Sequence, residues 1–212
     1  MINPVILLGA KELGLMSLEI FNSHDILVYG MLDDDTKEHK KEYGSVVVLG
    51  SCDDEGYLKL IGKKCDAFVS VENVKERKFL AEMLEENRHV KPVNAIHKQA
   101  VISESASIGN GNFINAGVVV GTKATIGDYA ILQNRVVVEA FAHVENFVQL
   151  CAGVIIGQGA VIEEGAFIGT GAIVVPGVRV GKNARVGAGS LVAGNVKSNK
   201  TVFGNPAAEV AV

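Results

Sequence analysis

From Ile102 onward an aliphatic residue recurs every sixth position: Ile102, Ile108, Ile114, Val120, Ile126, Leu132, Val138, Val144, Leu150, Ile156, Ile162, Ile168, Val174, Val180, Val186 and Val192. A second register lies four residues behind it and is mostly small: Ala106, Asn112, Val118, Ala124, Ala130, Val136, Ala142, Val148, Val154, Ala160, Ala166, Ala172, Val178, Ala184, Ser190 and Val196. Glycine often follows the aliphatic directly, as at Gly109, Gly121, Gly127, Gly157, Gly169, Gly181 and Gly187. Self-similarity at a fixed period is architecture. A large and a small residue point inward every six residues, and the chain turns between short strands where side-chain bulk is low. Three such units close a triangular coil, and each coil stacks on the next at ~4.8 Å through parallel backbone hydrogen bonds. One coil cannot bury its apolar side alone, so stability comes from stacking. The prediction is a parallel β-helix, a β-solenoid of hexapeptide repeats, with no long insertion between residues 102 and 192.

The first half carries a different pattern. Val5–Leu8 is an apolar run ending at Gly9, and Ile26–Leu32 is a second, closed by Asp33, Asp34 and Asp35. Val46–Leu49 and Ala67–Val71 are further strand candidates. Leu15, Leu18 and Ile20 recur at helical spacing between Glu12 and Phe21, as do Phe79, Leu80, Met83 and Leu84 between Val74 and Leu84. Leu58, Leu60 and Ile61 mark a short helix. Alternating strands and helices predict a small parallel sheet with helices on its faces. The fold class is therefore α/β plus β-solenoid, with one domain over 1–97 and a second over 98–212.

Charge divides along the same line. Residues 1–97 hold twelve Lys and Arg against seventeen Asp and Glu, whereas 98–212 hold eight against seven. Nothing at that level points to nucleic acid. Arg179, Lys182, Arg185, Lys197 and Lys200 cluster late, either to meet an anionic ligand or as a solvated rim. The three cysteines, Cys52, Cys65 and Cys151, have no paired or metal-like spacing, which predicts a reducing, cytoplasmic setting and no metal site. No apolar run approaches the ~20 residues of a membrane span, and the N-terminus enters a strand-like run with no secretory pattern.

Gly9, after a first strand and before a helix, stands where nucleotide-binding folds cradle phosphate on backbone N–H groups. The stretch reads Gly9-Ala10-Lys11-Glu12-Leu13-Gly14. Gly14 suits close packing, but Glu12 replaces the middle glycine, and a plain strand-to-helix turn is the competing reading. Asp33 and Asp34 follow the second strand, where acids bind ribose or base edges or simply make a turn. His97 precedes the repeat and suits a capping or packing role.

The repeat pattern, together with Gly9-Ala10, Leu32-Asp33-Asp34, Ala95-Ile96-His97, Val138-Glu139, Val174-Val175-Pro176-Gly177 and Gly204-Asn205-Pro206-Ala207, resembles the left-handed β-helix sugar acetyltransferases. That family includes the sialic acid O-acetyltransferases and the bacillosamine and perosamine N-acetyltransferases. The resemblance implies a Rossmann-like sugar-nucleotide-binding domain followed by a left-handed β-helix, a homotrimer, and acetyl transfer from acetyl-CoA to a nucleotide-linked amino sugar. It implies substrate contacts at Gly9, Ala10, Lys11, Asp33 and Asp34. Acetyl-CoA contacts would fall at Gln149, Gly169, Thr170, Gly187, Ala188, Lys197 and Lys200.

The chain departs from the family at one inferred place. The family's segment Val-Glu-His-Asp/Glu, whose His is the general base, is here Val138-Glu139-Ala140-Phe141. The family's Asn is Gln133, its second His is Gln149, and the basic residue after its Gly-x-Pro-Ala tail is Ala208. Three explanations stand open. His143, at an outward corner equivalent to that of Gln149, replaces the base, or is merely an exposed histidine. The acceptor arrives already deprotonated, and positioning suffices. Or the protein is a non-catalytic binding or scaffold relative.

Overall fold

The apolar run at Val5–Leu8 forms strand β1, buried throughout. The computed structural model describes residues 3–210. By its internal contacts the chain divides into two compact units, Met1–Lys98 and Gln99–Val212. In the first unit, α1 (Glu12–Ser23) follows β1, then β2 (Val28–Leu32), β3 (Glu42–Tyr43), β4 (Val46–Gly50), α2 (Glu55–Leu58), β5 (Asp66–Val69) and α3 (Val74–Arg88). The sheet order is β3-β4-β2-β1-β5. All pairings are parallel except the β3–β4 hairpin. β1 lies inside the sheet between β2 and β5, and all four of its residues are buried.

Local chemistry sets the ends of these elements. Asn73 caps α3 by accepting the N–H groups of Lys75 and Glu76. The helix runs on past Leu84 to Arg88 and stops at His89, which takes a left-handed conformation. Gly14 lies against the preceding turn: a Cβ there would sit 2.3 Å from the Gly9 carbonyl oxygen. The buried Ser70 hydroxyl donates to that same carbonyl at 2.7 Å.

The second unit is a prism of two-residue strands. Strand Val119–Val120 pairs in parallel with Val137–Val138, one full coil ahead, and the same offset repeats on all three faces. One face stacks residues 101–102, 119–120, 137–138, 155–156, 173–174 and 191–192. The second stacks 107–108, 125–126, 143–144, 161–162 and 179–180, and the third includes 113–114, 131–132, 149–150, 167–168 and 185–186. This is a β-helix of hexapeptide repeats. From Ile114 to Val192 every aliphatic of the six-residue register is buried. Ile102 and Ile108, in the first coil, are half-buried.

One expectation about the corners changes. The glycines that follow the aliphatics precede the turn. They are sites of close approach between coils: a Cβ on Gly169 would lie 2.6 Å from the Ala188 nitrogen. The left-handed residue comes two positions later, and bulk is no obstacle there. Lys123, Tyr129, Arg135, Phe141 and Phe147 all hold φ between 54° and 60°, although that conformation costs about 1–2 kcal/mol for an L-residue. Stacking along the corners offsets part of it, with Tyr129 and Phe147 parallel at 5.1 Å and the Lys123 ammonium 5.9 Å from the Phe141 ring. Gly169→Ala is therefore expected to lose about 1–3 kcal/mol through forced coil separation. Gly194→Ala, with nothing within 4 Å of the added carbon, is expected to be neutral. Paired thermal melts of the two variants check this.

Candidate functional site

Asp33 is 7% exposed, and its carboxylate organises the turn after β1. It accepts the Ala10 N–H at 2.8 Å and the Asp35 N–H at 2.9 Å. The structure thus joins Gly9, Ala10, Lys11 and Asp33 in one place. Gly9, Lys11 and Asp33 border a pocket of about 250 Å³ that also includes Glu12, Ser70, Asn73 and Glu76. Gly9 needs its glycine here, because φ is +119° and a Cβ would strike the Ser70 carbonyl oxygen at 2.5 Å.

Electrostatics decide what this pocket suits. Asp33 and then Asp35 raise the Lys11 pKa, and Lys11 lies 3.6 Å from the Asp35 carboxylate. Burial pushes the Glu76 carboxyl up, and Asp33 and Asp34 push it further. With Glu12, Asp33, Glu72 and Glu76 around one lysine, the pocket favours hydroxyl and N–H donors over bare pyrophosphate. Asp34 points elsewhere: it accepts the Cys52 N–H at 2.8 Å and borders a separate cleft beside Phe79, Met83 and Arg88. His24 and His39 bond to backbone carbonyls, of Ile96 and Asp33. Among the described residues no group of three or more His, Cys, Asp or Glu is placed to hold a metal ion.

On the prism, the expected acetyl-CoA contacts fall into separate columns. Gln149 begins a strand of the third face. Gly169-Thr170 and Gly187-Ala188 stack at the corner that follows that face, with Thr170 and Ala188 exposed. Lys197 and Lys200 lie on another corner and are exposed. Much of the late basic cluster is already paired. Arg179 meets Glu163 at 2.7 Å, Lys182 meets Glu164 at 2.8 Å, and Lys200 meets Glu209. Arg185 lies 4.5 Å from the Phe167 ring.

His143 is not at a corner. It is the first, exposed residue of strand His143–Val144 on the second face, whereas Gln149 is half-buried on the third. The six-residue step between them crosses an edge of the prism. Sequence reasoning missed its partner: Thr125 Oγ1 and His143 Nδ1 share a hydrogen bond. Thr125 stands one coil before His143, so a stride of eighteen along the sequence would have found it.

The hexapeptide model of bacterial transferases, six repeats long, matches residues 105–140 and 159–194. No curated protein sequence matches the chain. Solved structures match it end to end. A histidine-to-alanine variant of GDP-perosamine N-acetyltransferase from Caulobacter crescentus, in complex with CoA and GDP-perosamine, is 26% identical with a TM-score of 0.88, over 100% of this chain and 99% of that one. The acetyltransferase domain of PglB from Neisseria gonorrhoeae is 26% identical with a TM-score of 0.88, over 98% and 100%. The chain carries the hexapeptide repeat of bacterial transferases and is similar over its full length to sugar N-acetyltransferases. WeeI from Acinetobacter baumannii, 23% identical with a TM-score of 0.84 over 98% and 99%, shares the fold. Ala140 and Phe141 stand at one corner of the prism, at the positions where the resemblance implied a base and its acidic helper.

Proposed function

We propose that the protein transfers the acetyl group of acetyl-CoA to the amine of a nucleotide-linked sugar. The observation that carries this is the likeness over both units, at 26% identity, to an N-acetyltransferase solved with CoA and GDP-perosamine. The non-catalytic alternative is not favoured, since the same likeness extends to the PglB acetyltransferase domain, also solved with acetyl-CoA. In this proposal the first unit acts as a Rossmann-like nucleotide-sugar domain. Its acidic turn at Gly9, Ala10, Lys11 and Asp33 takes hydroxyl and base donors of the substrate. Asp34 stands beside it at the neighbouring cleft. The prism, of the left-handed kind, offers acetyl-CoA the Gly169-Thr170 and Gly187-Ala188 corner, with Gln149, Lys197 and Lys200 as further contacts.

The working unit is a homotrimer. What supports it is the outward row of the first face: Val101, Val119, Val137, Ile155, Ile173 and Leu191 follow one another up the stack. Val101 is 63% and Ile173 40% exposed. The matching rows of the other faces are broken by polar residues: Ser107, Thr125, His143 and Arg179 beside Val161 on one, and Gln149 and Arg185 among Phe113, Ile131 and Phe167 on the other. A continuous aliphatic strip on one face alone marks a surface that a partner covers. The odd, sparse set of three cysteines fits a cytoplasmic setting.

The test is thiol release from acetyl-CoA with UDP-, GDP- and dTDP-linked amino sugars, paired with calorimetry of acetyl-CoA binding. Steady turnover with at least one of these acceptors is expected. Tight binding without turnover on any of them, at high enzyme concentration, contradicts the proposal.

A further inference from the structure

Ala140 cannot accept a proton, so an acetyl transfer catalysed by this chain needs a different receiver, and one side chain of the prism is built as one. His143 stands exposed on the second face, with Thr125 below it and Val161 above. Its Nδ1 is engaged by Thr125 Oγ1. When Nδ1–H donates to that hydroxyl oxygen, Nε2 is left as a free acceptor with its ring orientation fixed. The ring borders a depression of about 340 Å³ that also includes Glu145, Asn146 and Glu164.

The polar groups of this depression are held in place. Glu145 Oε2 accepts the Glu164 N–H at 2.9 Å, and Asn146 Oδ1 accepts the Asp128 N–H at 2.8 Å. Glu164 Oε2 accepts from the Lys182 ammonium at 2.8 Å. Of the charged groups, Glu145 on its own side and Glu164 from the coil above border the depression with the imidazole; Lys182, one coil further up, holds Glu164, and Asp128, in the coil below, is bound to Asn146. The Glu145 and Glu164 carboxylates favour a hydrogen-bond donor such as an amine in this depression, next to the His143 ring. Such placement by backbone bonds is what a proton-transfer site requires.

Resting on the acetyltransferase reading, we infer that this depression receives the acceptor amine and that His143 Nε2 is the general base. The neutral amine attacks the thioester carbonyl and its C–N bond forms. The amine proton passes to Nε2. The C–S bond then breaks, and the leaving sulfur takes that proton back, so that amide and free CoA thiol are the only products. Thr125 is the positioning residue that keeps Nε2 directed outward.

The experiment compares the full-length protein with H143Q, T125V and T125S. H143Q keeps a polar side chain beside Thr125, so its melting temperature is expected to be unchanged. Its kcat/KM is expected to fall about 100-fold or more, the lower bound for a positioned general base. The acid limb of the wild-type pH profile is expected to disappear with it. T125V is expected to lower kcat with KM unchanged, and T125S to restore it. Turnover and a pH profile that survive H143Q overturn this inference alone. Absence of turnover in the wild-type protein overturns the acetyltransferase reading and this inference together.

Discussion

Replacing Val137 and Ile155 by glutamate is expected to convert the protein to monomers and to abolish acetyl transfer while leaving the β-helix folded. The two residues are neighbours on adjacent coils of the aliphatic face. Each is half-buried within one chain, and neither takes part in the inward registers that hold the prism together. Glutamate there costs the isolated chain little, because the side chain can remain in water. In a trimer it places unpaired carboxylates from every subunit within a dry apolar contact, and like-charge juxtaposition costs several kcal/mol each time. A self-associating interface sums that penalty over all its copies. Sedimentation is expected to show one species at monomer mass, with far-UV circular dichroism unchanged and thiol release down by more than ~100-fold. A variant that stays trimeric would show that the aliphatic strip is not the contact surface.

The second large effect lies inside the prism. Leu150 is fully buried, stacked between Leu132 and Ile168 of the adjoining coils. Leu150→Ala removes contacts on both sides and leaves a void that the flanking backbone ladders cannot close. The expected loss is about 2–5 kcal/mol, or a melting temperature lower by roughly 5–15 °C for a chain of this size. Ile102→Ala, at a half-buried position whose strand pairs with only one neighbour among the faces described, is expected to cost less than half as much. In a stacked array stability is a sum of interfaces between neighbours, so the ratio of the two losses matters more than either value. Equal losses would mean that the coils are not the stabilising unit.

The same stride explains what could be read without coordinates. Inward side chains are large or small by turns, every six residues, and that pattern follows from packing alone. The next level of order has a period of eighteen, since a residue meets its vertical neighbour only after three faces. Val101, Val119, Val137, Ile155, Ile173 and Leu191 are each unremarkable in a six-residue register and form a strip only at the longer period. Thr125 and His143 are linked in the same way. The corner residues deceived for a different reason. Lys123, Tyr129 and Phe141 adopt a backbone conformation that their own preferences oppose, because ladder bonds on either side over-determine the turn.

In the first unit the apolar runs marked the main strands. The hairpin strand β3 was invisible because Glu42 and Tyr43 carry no alternation. Helix α3 outran its apolar pattern through Glu85, Glu86, Asn87 and Arg88, which are solvent-facing or ion-paired, as Arg88 is with Glu55 at 2.6 Å. The candidate site was legible only in part. Asp33 was found as an acid after β2, but its hold on the Ala10 N–H arises from tertiary contact, and so does the division of Asp33 and Asp34 between two clefts.

The most direct check of the enzymatic account is the mass of the sugar nucleotide after incubation with acetyl-CoA and the full-length protein. The account predicts a product in which one amine hydrogen has been replaced by one acetyl group, formed in equal amount to free CoA thiol. An unchanged sugar nucleotide, recovered in full from protein that demonstrably binds both acetyl-CoA and that acceptor, would contradict it.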